Sequence, residues 1–397
     1  MPRSTLLCCI LFLFAACAPT LEQRRADAGN AIQALQEGSF DEAERKATLA
    51  LAADEMNPFA SAVRAVARYK RTMHQLALDV RTTALGALVA RSVNQRYLDA
   101  TFGQAEQEFA AVEADLAKAA ADPGVWLELC LACWEIDWNG NGRVEDSDRA
   151  LMEIEEDADG NPIPEGDPRR RPTFRFDEGD VAWARAFVSF QRALLDLALA
   201  YDWSGISPAL DRHDRPGVLT LALAHPERIE QARARVLEGL EQSDRARRAY
   251  LAETDDDREW VPNPRQKSHP IPLPVDDALY ATWGGLLGDL RRLVKGEEGL
   301  NLAEVVSLLG EKSRIPTPEG CIDVGAMLSK PKDIVLDLGG LEAIDNDPGR
   351  FAAILGPGYL HPMPASPMPK RLARMKGEID RNEERIERKL RYLLWLN

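Results

Sequence analysis

The chain is 397 residues long and acidic, with 64 Asp and Glu against 49 Lys and Arg and a net charge of −15. That balance argues against a nucleic-acid partner, because neutralising phosphates needs a basic footprint. The length suffices for one large domain or two to three smaller ones, and a hydrophobic content of 45% is ordinary for a globular core. Beyond the N-terminus no stretch is apolar enough to cross a bilayer. Cys8 and Cys9 lie in the N-terminal apolar run and Cys17 at its end. Cys130, Cys133 and Cys321 remain, too few for a disulfide framework.

Arg3 gives a short basic start, and Leu6 to Ala16 is almost purely apolar. This run is shorter than the ~20 helical residues that span a bilayer and has the length of a signal-peptide core. It closes on Leu13-Phe14-Ala15-Ala16-Cys17, which resembles the lipobox of bacterial lipoproteins, with Phe14 where Leu is usual. The resemblance implies that residues 1–16 are a signal peptide. It also implies that Cys17 is lipidated and that the exported chain is held on a membrane of the cell envelope by its lipid. Ala18 follows the cysteine in place of aspartate, which by analogy with Gram-negative sorting implies the outer membrane. An ordinary signal peptide cut near Ala16, or a retained anchor, is the alternative.

After Cys17, Ala, Leu, Glu and Arg dominate and period-two alternation is rare, so an all-α fold is expected. Residues 17–122 form the first region. There Gly38-Ser39-Phe40-Asp41-Glu42-Ala43, then Ala47, Ala50 and Leu51, then Asn57-Pro58 resemble a tetratricopeptide repeat. Phe102, Ala105, Phe109, Ala117 and Asp122-Pro123 form a second partial unit, with helix across Val63 to Val93 between them. The resemblance implies helical hairpins with a concave surface for a protein or peptide. A generic Ala-rich bundle is the alternative.

The second region, 123–205, carries the one motif with chemistry. Asp137-Trp-Asn-Gly-Asn-Gly-Arg-Val-Glu-Asp-Ser-Asp148 places side-chain oxygens at Asp137, Asn139, Asn141, Glu145 and Asp148. Gly142 stands at the sixth place, where the chain would turn sharply, and the Arg143 carbonyl at the seventh would point inward. This resembles an EF-hand loop of the dockerin type and implies a calcium site, since calcium needs six to eight oxygens. The short Asp148 and few charges imply weak binding, ~10⁻⁴–10⁻³ M. Gly124 to Ile136 is expected to be the incoming helix and Asp148 to Glu155 the outgoing one. An Asx-rich turn is the alternative. A second loop from Asp157 to Asp167 starts similarly, with Asp159 and Asn161, but reads better as a turn. Cys130 and Cys133 fall inside the expected helix as buried small hydrophobes, with a disulfide to Cys321 as the other option. A helix capped by Asp177 or Asp180 then carries Trp183, Phe187, Phe190, Leu194, Leu197 and Tyr201 as one seam, expected to be core.

The third region, 206–397, reads as helices over 227–253 and 275–296 and a charged tail helix from Lys370, separated by Pro-rich linkers at 261–275 and 357–369. Asp255, Asp256, Asp257 and Glu259 beside Trp260 form a secondary acidic site for a cation, a basic segment or a sugar. No H-E-x-x-H, G-x-S-x-G, P-loop or G-x-G-x-x-G occurs, and His74, His213, His225, His269 and His361 are scattered. No catalytic residue is assigned. The sequence thus points to an all-α envelope lipoprotein: tetratricopeptide-like hairpins followed by packed helices with one EF-hand-like loop. It would scaffold an envelope protein or peptide and hold structural calcium. The rival is a small-ligand-binding or hydrolytic protein using the acidic 255–259 segment.

Overall fold

The computed structural model describes residues 19–90, 94–138, 140–146, 148, 153–157, 161–206, 218–256, 258–267, 275–308, 320–337 and 358–380, as backbone only at 83–90, 218, 306–308, 336, 337 and 375–380. Cys17, Asn139 and Asp257 lie outside these residues, as do His213, His269 and the tail beyond Asp380. Eleven α-helices and eight short strands lie among them, so the chain is largely all-α, with three small antiparallel sheets.

Thr20 caps α1 (Leu21–Asp27) by accepting from the Gln23 backbone N–H. Helix α2 (Gly29–Gln36) turns back through Gly38, at a φ of 72° that favours glycine, into α3 (Phe40–Ala53). Ala31, Ala34, Ala43 and Ala47 are buried, and such small residues let the two helices approach closely. Asn57 begins the next helix. Its Oδ1 accepts from Ala60 N at 3.1 Å and its Nδ2 donates to the Arg24 carbonyl at 2.8 Å. Pro58 occupies the first position of α4 (Pro58–Ala90), where its missing N–H has no partner to lose. Asn94 caps α5 (Gln95–Ala119), which packs against α4. Phe102, Ala105, Phe109 and Ala117 all lie along α5, without a hairpin turn between them.

The expected helix from Gly124 to Ile136 is not formed. Its place is taken by β1 (Leu127–Leu129), a 3₁₀ turn at Leu131–Cys133 and a Cys130–Cys133 disulfide, while Cys321 is free and buried. Leu127 and Leu129 are both buried around a half-buried Glu128. An extended backbone puts such a pair on one face, whereas a helix would turn them about 200° apart. Strand β1 pairs with β2 (Phe174–Phe176), Leu127 opposite Phe176 and Leu129 opposite Phe174.

Helix α6 (Glu178–Leu199) is the central element. Asp177 opens it with a capping box, accepting from Gly179 N and donating its own N–H to Asp180, each at 3.0 Å. It is sandwiched between α5 and α7 (Pro226–Ala252). Its buried side is therefore made of small residues, Ala182, Ala186, Ser189 and Ala193 among them. Across it Gly239 of α7 admits the Phe190 ring, which would lie 2.6 Å from an added Cβ. The large residues of the expected seam do not form one core face: Leu194 is 65% exposed, and Trp183 and Phe187 border a cavity. Ion pairs tie the three helices together. Asp196 accepts from Arg228 at 2.8 Å and Arg235 at 2.5 Å. Glu106 of α5 meets Arg235 at 2.8 Å and Arg192 at 2.7 Å, and Arg192 also meets Glu113.

After α6 come β3 (Tyr201–Asp202), β4 (Val218–Leu223) and, beyond α7, α8 (Asp277–Lys295), which ends on left-handed Gly296. Then follow β5 (Leu300–Asn301), α9 (Leu302–Leu308), β6 (Cys321–Ile322), α10 (Val324–Ser329), β7 (Ile334–Asp337), β8 (Leu360–His361) and α11 (Met368–Asp380). Strand orders are β3-β4-β7 and β5-β6-β8. The tail helix docks on the body: Arg371 meets buried Asp289 of α8 at 3.0 Å, and Lys370 meets Glu304 of α9 at 2.9 Å.

Candidate functional site

Two apolar clusters make up the N-terminal half. One joins α1–α4 to the β1–β2 sheet, and the other joins α4, α5 and α6. Between them the packing leaves a cavity of about 170 Å³. Aromatic rings wall it: Tyr69 of α4, Trp126 and Trp134 flanking β1, Phe176 of β2, Trp183 and Phe187 of α6, and Trp260 after α7. The walls are held from behind. Trp134 Nε1 donates to the Leu35 carbonyl at 2.8 Å, Trp260 packs edge-on to Phe174 at 4.8 Å, and the Tyr69 hydroxyl accepts from Gln191 at 3.0 Å.

Among the described residues, two ionisable side chains other than Tyr69 border this space, Lys70 and Asp180. Lys70 is partly exposed, and burial pushes its ammonium down to about 8. Its nitrogen stands 5.5 Å from the Trp134 ring centre. Asp180 is buried. One carboxyl oxygen accepts from the Tyr250 hydroxyl at 2.8 Å, and burial together with the neighbouring Asp177 charge raises it well above the carboxylate range.

Asp180 belongs to a carboxyl cluster. Oxygens of Asp177, Glu253 and Glu259 lie within 4.8 Å of one another. Burial, then the charges of Asp177, Glu259 and Asp180, push Glu253 up to about 9, and burial raises Asp177 as well. Protonation or a hard cation relieves the repulsion in a carboxyl cluster of this kind. Of the described residues of the expected acidic site, Glu259 alone joins this cluster. Asp255 is half exposed and 3.7 Å from Arg175, and Asp256 accepts from Lys267 N at 3.2 Å. Glu253, at the C-cap of α7, and Asp177, at the N-cap of α6, complete the group. The sequence marks Asp177 only as a cap and gives no sign of Glu253.

The Asp137–Asp148 loop is stitched by its own oxygens. Asp137 accepts from Asn141 N at 3.1 Å and Gly142 N at 2.6 Å, and Asp148 accepts from Trp138 N at 3.2 Å and Glu145 N at 3.0 Å. Asn141 Oδ1 accepts from Arg143 N at 2.8 Å. Gly142 has the positive φ expected of the turn, 83°. Burial is the largest single influence on Asp137 and favours its neutral form, but the N–H groups of Gly142, Asn141 and Gly140, with the nearby His74, together outweigh it and hold the carboxyl below its ordinary value. The loop docks on α4 through His74, whose Nε2 lies 2.7 Å from the Asp137 carbonyl. Asp137, Glu145 and Asp148 do not form a three-carboxylate group within 4.8 Å; among the described residues that arrangement occurs at Asp177, Glu253 and Glu259. In the second loop Asp157 accepts from Asn161 N at 2.8 Å, and residues 158–160 lie outside the described chain.

Compared with known protein families, with curated proteins and with solved structures, the chain matches none.

Proposed function

We propose that this chain is an exported, lipid-anchored binding protein of the bacterial cell envelope, and that its cavity takes up a small apolar ligand. The cavity between α4, α5, α6 and the β1–β2 sheet carries the proposal, because its walls are aromatic and held rigid by the contacts behind them. Its volume is close to that of an apolar cavity of ~150 Å³ that accepts benzene, and it is half open to the surface, so it suits a one- or two-ring molecule. The export half is supported by the Leu13–Cys17 lipobox resemblance and by the Cys130–Cys133 disulfide, since such bonds persist in oxidising compartments.

The neutral fluorophore 2-naphthamide tests the cavity. Saturable one-to-one binding to the wild type is expected, with loss of binding in Ala184→Phe, which fills the wall of α6. No saturable binding at millimolar probe would refute the reading. Mass spectrometry of the full chain expressed in a bacterium tests the address: acyl chains on Cys17 are expected, and an unmodified N-terminus would refute it. Calcium in the Asp137–Asp148 loop is proposed as a structural addition, supported by the spacing of its oxygens. The scaffold role is retained as a second reading because α4 and α5 line a polar groove bordered by Arg71, Gln75, Asp79, Gln104 and Glu108, of a chemistry suited to a peptide.

A further inference from the structure

We infer that Lys70 is the anchoring cation of the cavity and that the ligand is an amphipathic monocarboxylate, its apolar body among the aromatic rings and its carboxylate on Nζ. The inference rests on the cavity reading above and specifies its ligand class. Helix α4 carries several cations, and its neighbours there are matched inside the protein: Arg64 meets Asp115 at 2.5 Å, Arg68 meets Glu44 at 2.9 Å and Arg71 meets Glu44 at 2.7 Å. Lys70 differs. Among the described residues its contact is the Trp134 ring, and no carboxylate pairs with it. Buried charges are ordinarily paired, because a lone ion in an apolar setting is costly. The carboxyl on the cavity wall, Asp180, is engaged by the Tyr250 hydroxyl and the Asp177 N–H. With no carboxylate paired to it among the described residues and burial lowering its ammonium, the cation is open to an anion that a ligand can bring.

The ligand's charge and size follow. One ammonium neutralises one negative charge, and a dianion such as a phosphomonoester would leave net charge in an apolar space. A carboxylate accepts from the ammonium, while the Trp134 face on the other side stabilises the cation. A space of about 170 Å³ holds one ring on the scale of the ~150 Å³ cavities that take benzene, and its open side leaves room for a second.

The test compares three probes with one body: 2-naphthoate, 2-naphthamide and 2-naphthylmethylammonium, titrated against the full chain near neutral pH. A hydrogen bond to a charged group is worth ~1.5–3 kcal/mol, so naphthoate should bind roughly 10- to 100-fold tighter than naphthamide. The ammonium probe should bind weakest. Lys70→Met should erase the naphthoate advantage and leave naphthamide affinity within about threefold, since Met keeps the side-chain volume. Naphthamide binding without any naphthoate advantage, or an advantage that survives in Lys70→Met, overturns this inference and leaves the cavity reading standing. Failure of all three probes to bind overturns both.

Discussion

Asp196 holds the helical sandwich together, and its removal has a calculable cost. The side chain is fully buried, with Oδ1 on Arg228 at 2.8 Å and Oδ2 on Arg235 at 2.5 Å. Asp196→Ala strips both guanidiniums of this partner. Arg235 keeps Glu106 at 2.8 Å, while the Arg228 side chain is 33% exposed and regains some water. Breaking a buried pair by removing one partner costs ~3–5 kcal/mol, and these two compensations favour the lower end, ~3 kcal/mol. Against a typical total stability of ~5–15 kcal/mol, that is a large share. Urea unfolding followed by far-ultraviolet circular dichroism measures it. The midpoint should fall with an unchanged denaturant slope, and Asp196→Asn should lose less, because an acceptor remains. A loss below ~1 kcal/mol, the value for exposed pairs, would refute the reasoning, because the network would then be solvated.

Other expectations concern the sites. Ala184→Phe should raise stability by ~0.5–2 kcal/mol as it fills the cavity, and equilibrium unfolding beside the binding titration would detect the exchange of stability for binding. Glu253 has an ordinary value of 4.5 and is pushed up to about 9. The folded chain therefore holds more protons than the unfolded one between those values, and stability should fall as pH rises through that window. Glu253→Gln should flatten that decline in a series of urea melts, and an unchanged slope would show that the cluster carries no such proton. Millimolar calcium should change the tryptophan fluorescence of the wild type, with Trp134 and Trp138 adjoining the loop, but not that of an Asp137→Ala, Asp148→Ala double variant; an equal response in both would remove calcium from this loop.

Much of the helical framework is legible in the sequence because its signals are local. The turn at Gly38 and the cap at Asp177 each depend on residues within a few positions. Strand β1 is not legible, since three residues carry too short an alternation and their partner strand lies beyond a long loop. The aromatic spacing on α6 shows that large residues share a stripe, but which side is buried depends on α5 and α7, whose approach selects the small residues instead. Glu259 was legible as acidic. Its meeting with Asp177 and Glu253 arises from the chain folding back after α7, which no local pattern encodes. Lys70 gave no signal, because a lysine on a helix is unremarkable until its surroundings are known.

Xenon binding followed by methyl NMR tests the cavity most directly, since the atom enters apolar space irrespective of charge or shape. Saturating shifts are expected at methyls on the walls, those of Ala62, Ala65, Val112, Leu116, Val181 and Val188, and these shifts should vanish in Ala184→Phe. Linear, unsaturable shifts spread over surface methyls would contradict the account.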